Sequence, residues 1–223
     1  MCPYDTWQRG TFLFCEADRC GWIRQPINTV SNAGFLIVGF WLLKRYRRVP
    51  QVRVIGVAAL FVGVLSAFYH ATSSYVGEVL DLGSMYLLVG GIVAFNLQRL
   101  DVMGVKASEV WAAAISLVGM IALFFIRGPG GVIFDVMILA AISLELIWYL
   151  RNRARVDLPS YTYFWSALGC YAIALTIWWL DSAKIVCFPE SLWFQGHAVW
   201  HWLGALNFFF LARYYSQFST KPA

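Results

Sequence analysis

Three histidines are the residues of this 223-residue chain whose type and spacing could do chemistry. His197 and His201 lie four residues apart at the head of an apolar run, and positions i and i+4 share one face of a helix. That spacing lets one helix offer two imidazoles to a metal ion, while His70 ends a different apolar run. Hydrolytic metal sites take three protein ligands and leave one position open for water. The alternative is that the pair is interfacial and bonds to water or backbone.

The elements that must position these histidines are long apolar segments. The sequence is 60% hydrophobic and 13% charged, whereas a soluble domain carries about 25% charged residues. Apolar stretches repeat along the whole chain, and residues 1–10 lack the apolar core of a signal peptide. We therefore predict an all-α polytopic membrane protein with a single domain, 1–223. The net charge of +5 lies in short loops and does not indicate nucleic-acid binding.

Seven transmembrane helices are predicted from the hydrophobic pattern. They cover residues 28–43, 54–75, 80–98, 110–126, 132–150, 161–180 and 197–213. Twelve Lys and Arg residues lie on one side of these spans and five on the other. Because basic residues favour the cytoplasmic side, residues 1–27 are expected as an extramembrane segment on the outer face, with the C-terminus in the cytoplasm.

This topology brings polar residues from three separate spans to the outer face. The second span ends at His70, with Ser66 one helical turn earlier. The third span starts with Asp81 at its head, and the seventh starts with His197 and His201. Ionisable residues inside a bilayer are costly and usually mark function. Their shared depth predicts one site near the outer face, periplasmic or lumenal.

Four of the five cysteines also fall on the outer face, where disulfides can form and persist: Cys2, Cys15, Cys20 and Cys187. A bridge from Cys15 or Cys20 to Cys187 would tie the N-terminal segment to the loop before the last span. Position alone does not choose between these two partners, and free thiols throughout are the alternative.

Three further polar residues lie within the predicted spans: Asp135, Glu145 and Asn207. For each of them we expect an interhelical hydrogen bond that holds the helices together. Asp135, a turn or so below the outer end of its span, could instead border the site.

Several motifs at the outer ends carry a family resemblance. Ser66 lies four residues before His70, and Asp81 lies eleven residues after it. Three further stretches carry the same signal: H-A-V-W-H at 197–201, Q-P-I-N-T-V-S-N at 25–32, and C-F-P-E-S-L at 187–192. Over nearly the whole chain the sequence resembles the alkaline ceramidases, seven-span hydrolases of a superfamily that includes adiponectin-receptor type proteins. The resemblance implies a zinc amidase that cuts the N-acyl bond of ceramide, or of a related N-acyl lipid, into a long-chain base and a fatty acid.

The resemblance also assigns roles to the polar residues. His70, His197 and His201 would be the zinc ligands, and Asp81 would deprotonate the zinc-bound water. Zinc lowers the pKa of water to about 7, and Asp81 is the carboxylate level with the histidines that can act as base and later proton donor. Its alternative role is to orient an imidazole. Ser66 would hydrogen-bond in the site or to its own helix. It is not expected to be a nucleophile, since no histidine remains to activate it.

Calcium is the second metal that the resemblance implies. Animal members of the family bind it through acidic residues of the N-terminal segment, and here Glu16 and Asp18 match part of that pattern. The sequence departs from the pattern at Leu13, where an acid is expected, and at Gln25, where the family has a glutamate. Alternatively, the two acids are solvated or pair with the arginines at 19 and 24.

Two other functions fit a seven-span chain. A zinc-containing lipid receptor would use the metal structurally and would show no hydrolytic turnover. A transporter would be expected to show interrupted helices in symmetric halves, and none is visible in the sequence.

Overall fold

The computed structural model describes residues 2–128 and 130–218, and within them the regular secondary structure is helical apart from one isolated β-bridge between Arg9 and Ser74. The described helices are α1 Pro26–Ser31, α2 Ala33–Arg45, α3 Pro50–Thr72, α4 Tyr75–Arg99, α5 Val105–Phe125, α6 Gly130–Asn152, α7 Thr162–Ser182 and α8 Gly196–Tyr215. A short 3-10 turn, Ser216–Phe218, follows α8. The all-α prediction is confirmed.

Six helical segments in the described ranges are long and apolar enough to cross a membrane, which makes this a multi-pass membrane protein. They are Pro26–Arg45, Pro50–Thr72, Tyr75–Arg99, Val105–Phe125, Gly130–Asn152 and Thr162–Ser182. These segments correspond to the first six predicted spans. α8 does not reach the same apolarity, because it carries two histidines, Asn207 and Arg213. The seventh span and the orientation stay predictions, and Lys221, one of the basic residues counted for orientation, lies outside the described residues.

The turn between α3 and α4 shifts one predicted boundary. Ser73 adopts a left-handed backbone conformation, with φ of 49°, and α3 therefore ends at Thr72. Ser74 then starts α4, because its Oγ accepts a hydrogen bond from Gly77 N at 3.1 Å. α4 consequently begins at Tyr75, and Asp81 lies almost two turns inside the helix. The prediction that Asp81 heads this helix is wrong.

The chain divides into two compact units, and the first comprises residues 1–81 and 161–223. In this unit α8 packs against α1, α2, α3 and α7. A Cβ on Gly34 would lie 2.8 Å from the Trp202 ring, and one on Gly204 would lie 2.8 Å from the Phe35 ring. Two glycines thus allow α2 and α8 to approach closely, as small residues do between membrane helices. The single-domain organisation over 1–223 stays a prediction.

The second unit, residues 82–160, contains α5, α6 and the later part of α4. Polar bonds link α4 to α6: Asn96 Nδ2 donates to Ala141 O at 3.0 Å, and Arg99 donates to both Glu145 carboxylate oxygens. In the first unit, Asn207 donates to Ala167 O at 3.2 Å. Glu145 and Asn207 therefore make the interhelical bonds that were predicted for them, whereas Asp135 is exposed.

Candidate metal centre

The three histidines form one buried group, here called the histidine cluster. His70 lies in the last turn of α3, whereas His197 and His201 lie in the first two turns of α8. Their ligand nitrogen atoms all lie within 4.8 Å of one another. His70 Nε2 and His197 Nε2 are 3.1 Å apart. The packing of α8 against α3 therefore joins the i, i+4 pair to the distant histidine.

Gln25 determines which nitrogen of His70 carries the proton. Its Oε1 lies 2.8 Å from His70 Nδ1, and its Nε2 donates to Asp18 Oδ1 at 2.9 Å. An amide oxygen can only accept, so His70 Nδ1 must be the donor. In the neutral imidazole the lone pair is then on Nε2, the atom that faces His197.

Ser31, at the end of α1, does the same for His201. Its hydroxyl donates to Asn28 O at 2.9 Å, and its oxygen lies 2.7 Å from His201 Nδ1. Because the single hydroxyl proton is used on the carbonyl, the serine oxygen accepts from Nδ1 of the histidine. His201 therefore also has its lone pair on Nε2.

His197 is positioned mainly through its backbone and its ring face. Asp181, buried at the end of α7, accepts from His197 N at 3.1 Å and from Cys15 N at 2.9 Å. The carboxylate thus occupies the N-terminus of α8, where a negative charge stabilises a helix. The Phe14 ring covers the imidazole, with centroids 3.8 Å apart. His197 Nδ1 is buried without a hydrogen-bond partner among the described residues.

This donor set fits a metal ion. Metal-binding histidines usually donate one ring N–H to an acceptor and ligate through the other nitrogen, the state of His70 and His201 here. Two nitrogen ligands on a tetrahedral zinc ion are about 3.3 Å apart, close to the 3.1 Å between His70 and His197. In the described part of the chain, the histidine cluster is the group of mutually close His, Cys, Asp and Glu side chains that could hold a metal ion.

Asp81 is joined through Ser66 to the helix that carries His70. Ser66 is buried on α3, one turn before His70, and its hydroxyl donates to the Asp81 carboxylate. The half-buried carboxylate of α4 is thereby tied to the helix that carries a candidate ligand. Asp81 is not a member of the mutually close ligand group, an arrangement that suits a proton acceptor better than a fourth ligand.

The N-terminal segment, residues 2–25, covers the ends of α3 and α8 that carry the histidines. Disulfide bonds join Cys15 to Cys187 and Cys2 to Cys20. Cys20, the alternative partner for Cys187, is thus bonded elsewhere. Backbone hydrogen bonds from Arg24 N to Ala71 O, 3.0 Å, and from Gln25 N to His70 O, 3.1 Å, hold the segment against the end of α3.

The two acids assigned to calcium have other partners in the structure. Glu16 accepts backbone hydrogen bonds from Ile27 N and Asn28 N, each at 2.8 Å, at the start of α1. Burial raises the pKa of the Glu16 carboxyl, although those two hydrogen bonds lower it. Asp18 accepts from Gln25 and pairs with two arginines, Arg9 and Arg24.

Sequence reasoning missed Ser31 and Asp181. Asp181 had a signal, because it is an acid at the end of a long apolar segment, where ionisable residues usually have a role. Ser31 lies inside the stretch 25–32 that carried the resemblance. Its contact with His201 depends on the packing of α1 against α8, which local sequence does not specify.

The chain is similar to known proteins over most of its length. The chain matches the Ceramidase family over residues 8–221. It is 24% identical to mouse alkaline ceramidase 1 over 190 residues, 81% of this chain and 69% of that protein. The human alkaline ceramidase 1 is 24% identical over 215 residues, 91% of this chain and 77% of that protein. The Drosophila melanogaster alkaline ceramidase is 25% identical over 221 residues, with 95% and 74% covered. The chain therefore belongs to the Ceramidase family and is a hydrolase that acts on an amide bond.

Proposed function

We propose that this protein is a zinc-dependent intramembrane amidase that hydrolyses the N-acyl bond of ceramide, or of a related N-acyl lipid, to a long-chain base and a fatty acid. The observation that carries the proposal is the convergence of three buried imidazoles. In two of them, His70 and His201, the Nδ1 atom is hydrogen-bonded, so Nε2 remains for a metal. Similarity to alkaline ceramidases supports the choice of ceramide as substrate.

In this proposal, His70, His197 and His201 hold the metal, and Asp81 moves the proton. When bound, zinc would polarise the amide carbonyl and lower the pKa of a water molecule. Asp81 accepts a proton from the water whose oxygen attacks the carbonyl carbon. The same carboxyl then gives that proton to the nitrogen as the C–N bond breaks, which releases a free amine and a carboxylic acid. Ser66 orients the Asp81 carboxylate through its hydrogen bond.

The membrane arrangement is part of the proposal. Seven spans, with the N-terminus outside and the C-terminus in the cytoplasm, would place the site near the outer face. Two disulfides, one within the N-terminal segment and one between that segment and the loop before α8, support that orientation, because disulfides persist outside the cytoplasm. A cysteine introduced at Glu190, which is exposed in the loop before α8, should react with an impermeant reagent on whole cells. Labelling of a cysteine introduced at Gln51 instead would reverse the orientation.

The decisive experiment combines metal analysis with a substrate panel. Purified protein should contain about one zinc per chain and release fatty acid from N-acyl lipids of several acyl lengths. Stoichiometric zinc without fatty-acid release from any N-acyl lipid would favour the receptor alternative. Absence of metal from an active preparation would remove zinc from the mechanism.

A further inference from the structure

The N-terminal segment contains a hydrogen-bonded path that the proposed reaction does not use. It runs from the His70 imidazole through the Gln25 side chain to the Asp18 carboxylate. Asp18 Oδ1 also accepts from Ser73 Oγ at 2.9 Å, so the carboxylate is held by Gln25 and by the turn after α3. The path connects a candidate metal ligand with the charged surface of the segment.

The direction of the Gln25 amide is determined by chemistry. An ionised carboxylate can only accept, so the NH₂ of Gln25 must face Asp18 and its oxygen must face His70. A glutamate at this position would set two carboxylates against each other and would need a cation between them. A glutamine makes both bonds without a cation.

Positive charge beside Asp18 is supplied by two arginines. Arg9 forms an ion pair with Asp18 Oδ2, and Arg24 Nη1 lies 3.6 Å from the same oxygen. Arg24 is buried and is held in turn by Pro3 O at 2.9 Å and by Asp5 at 2.8 Å. Arg24 therefore neutralises the carboxylate from a buried, hydrogen-bonded position, and Arg9 adds a second guanidinium at the surface.

Glu16, the other acid that was assigned to calcium, binds the start of α1 instead. Both oxygens of Glu16 accept backbone N–H groups at the start of α1, where a carboxylate stabilises the helix end. Calcium takes six to eight oxygen ligands, roughly 2.3–2.6 Å away. In this structure the Gln25 NH₂ and two guanidinium groups point at the oxygens of Asp18, and Glu16 is used by α1. The residues do not fit a calcium cage.

We propose that Arg9 and Arg24 take the place of a calcium ion in this chain, and that Gln25 is a positioning residue that holds His70 for the metal. Asp18 serves the path by orienting the Gln25 amide. The proposal rests on the metal site proposed above, because His70 is positioned for an ion that His197 and His201 share.

The first arm of the test uses the wild-type protein loaded with zinc. Calcium up to about 1 mM, the range of extracellular calcium modules, should leave its melting temperature unchanged relative to a calcium chelator, and equilibrium dialysis with radioactive calcium should show no saturable binding. Saturable calcium binding, or a rise in melting temperature with calcium, would overturn the proposal that arginines take the place of a calcium ion. Zinc analysis of the same sample separates the outcomes, since a protein without zinc would refute the metal site itself.

The second arm compares three variants by the rate at which zinc transfers to a chromogenic chelator. Gln25→Met removes the acceptor at similar size and should weaken zinc binding by about 10–100-fold. Gln25→Glu keeps an oxygen for His70 Nδ1 but sets a second carboxylate against Asp18, so its zinc retention should fall between that of wild type and that of Gln25→Met. Thr11→Val is the control for loosening of the N-terminal segment. Thr11 lies in that segment, and the variant loses its 2.6 Å hydrogen bond to Glu78 of α4. Normal zinc retention in Gln25→Met, or equal losses in all three variants, would contradict a positioning role.

Discussion

The histidine cluster and the Arg99–Glu145 pair are both polar groups buried in apolar helices, but their bonding differs. In the pair, Glu145 accepts from both terminal nitrogens of Arg99, whose guanidinium lies 4.0 Å over the Trp148 ring. In the histidine cluster, Ser31 and Gln25 bond to the Nδ1 atoms of His201 and His70. The Nε2 atoms of His70 and His197 face each other 3.1 Å apart.

This difference separates a structural polar group from a functional one. The ion pair satisfies opposite charges with each other and links α4 to α6, so it has a structural role without any ligand. His70 and His201 have their lone pairs on Nε2, an arrangement that is favourable when a cation is shared with His197. Burial alone would not distinguish the two groups, because both contain ionisable residues within apolar helices.

The largest expected effect on turnover comes from removal of a candidate ligand. His197→Ala leaves two imidazoles, so zinc should be lost and N-acyl hydrolysis should fall to background. The loss of affinity should exceed the roughly 10–100-fold typical for loss of an outer hydrogen-bond partner. Zinc per chain and fatty-acid release, measured on the same sample, check this. A variant with full zinc and normal turnover would remove the histidine cluster from the proposed function.

Asp81→Asn should separate the base from the ligands. The amide keeps the size of the side chain but cannot accept the proton of the attacking water. Zinc content should stay normal while turnover falls by about 10²–10⁴-fold. If zinc affinity itself weakens by about 10–100-fold, Asp81 orients an imidazole instead. Full zinc together with near-normal turnover would refute both roles.

Ser31→Ala should have a smaller effect. It removes the acceptor of the His201 Nδ1 proton, 2.7 Å away, but leaves all three imidazoles in place. Zinc affinity should fall by about 10–100-fold, and turnover should recover when zinc is added in excess. Thr176→Val is the matched control, because its hydroxyl donates only to the preceding helical turn, at Ala172 O. A loss of turnover that excess zinc does not restore would contradict this role for Ser31.

Glu145→Ala should have the smallest effect on turnover. It leaves Arg99 without its carboxylate partner, so stability should fall, by about 3–5 kcal/mol if the pair behaves as in soluble proteins. Zinc content and turnover of the folded fraction should remain at wild-type values. The melting temperature in detergent, measured beside zinc content, checks both statements. Loss of zinc from the folded variant would break the distinction between the two polar groups.

The sequence predicted most of the fold and the residue types of the site. Apolar runs as long as a bilayer is thick have few structural alternatives, so the first six spans appear as helices close to their predicted bounds. The i, i+4 spacing of His197 and His201 similarly defines a shared helix face from local geometry alone. Both inferences depend on regular backbone periodicity, which the sequence encodes directly.

Only the tertiary structure decided how the site is supported. The end of α3 depends on the left-handed Ser73, and this single residue moves Asp81 from the head of α4 to its second turn. The bonds from Gln25 to His70 and from Ser31 to His201 join residues 45 and 170 positions apart. Such contacts follow from helix packing and from the course of an irregular segment, and neither has a periodicity that can be read along the chain. The sequence by itself determined which side chains could bind a metal, and the packing of α1, α3 and α8 decided which of their nitrogen atoms are free to do so.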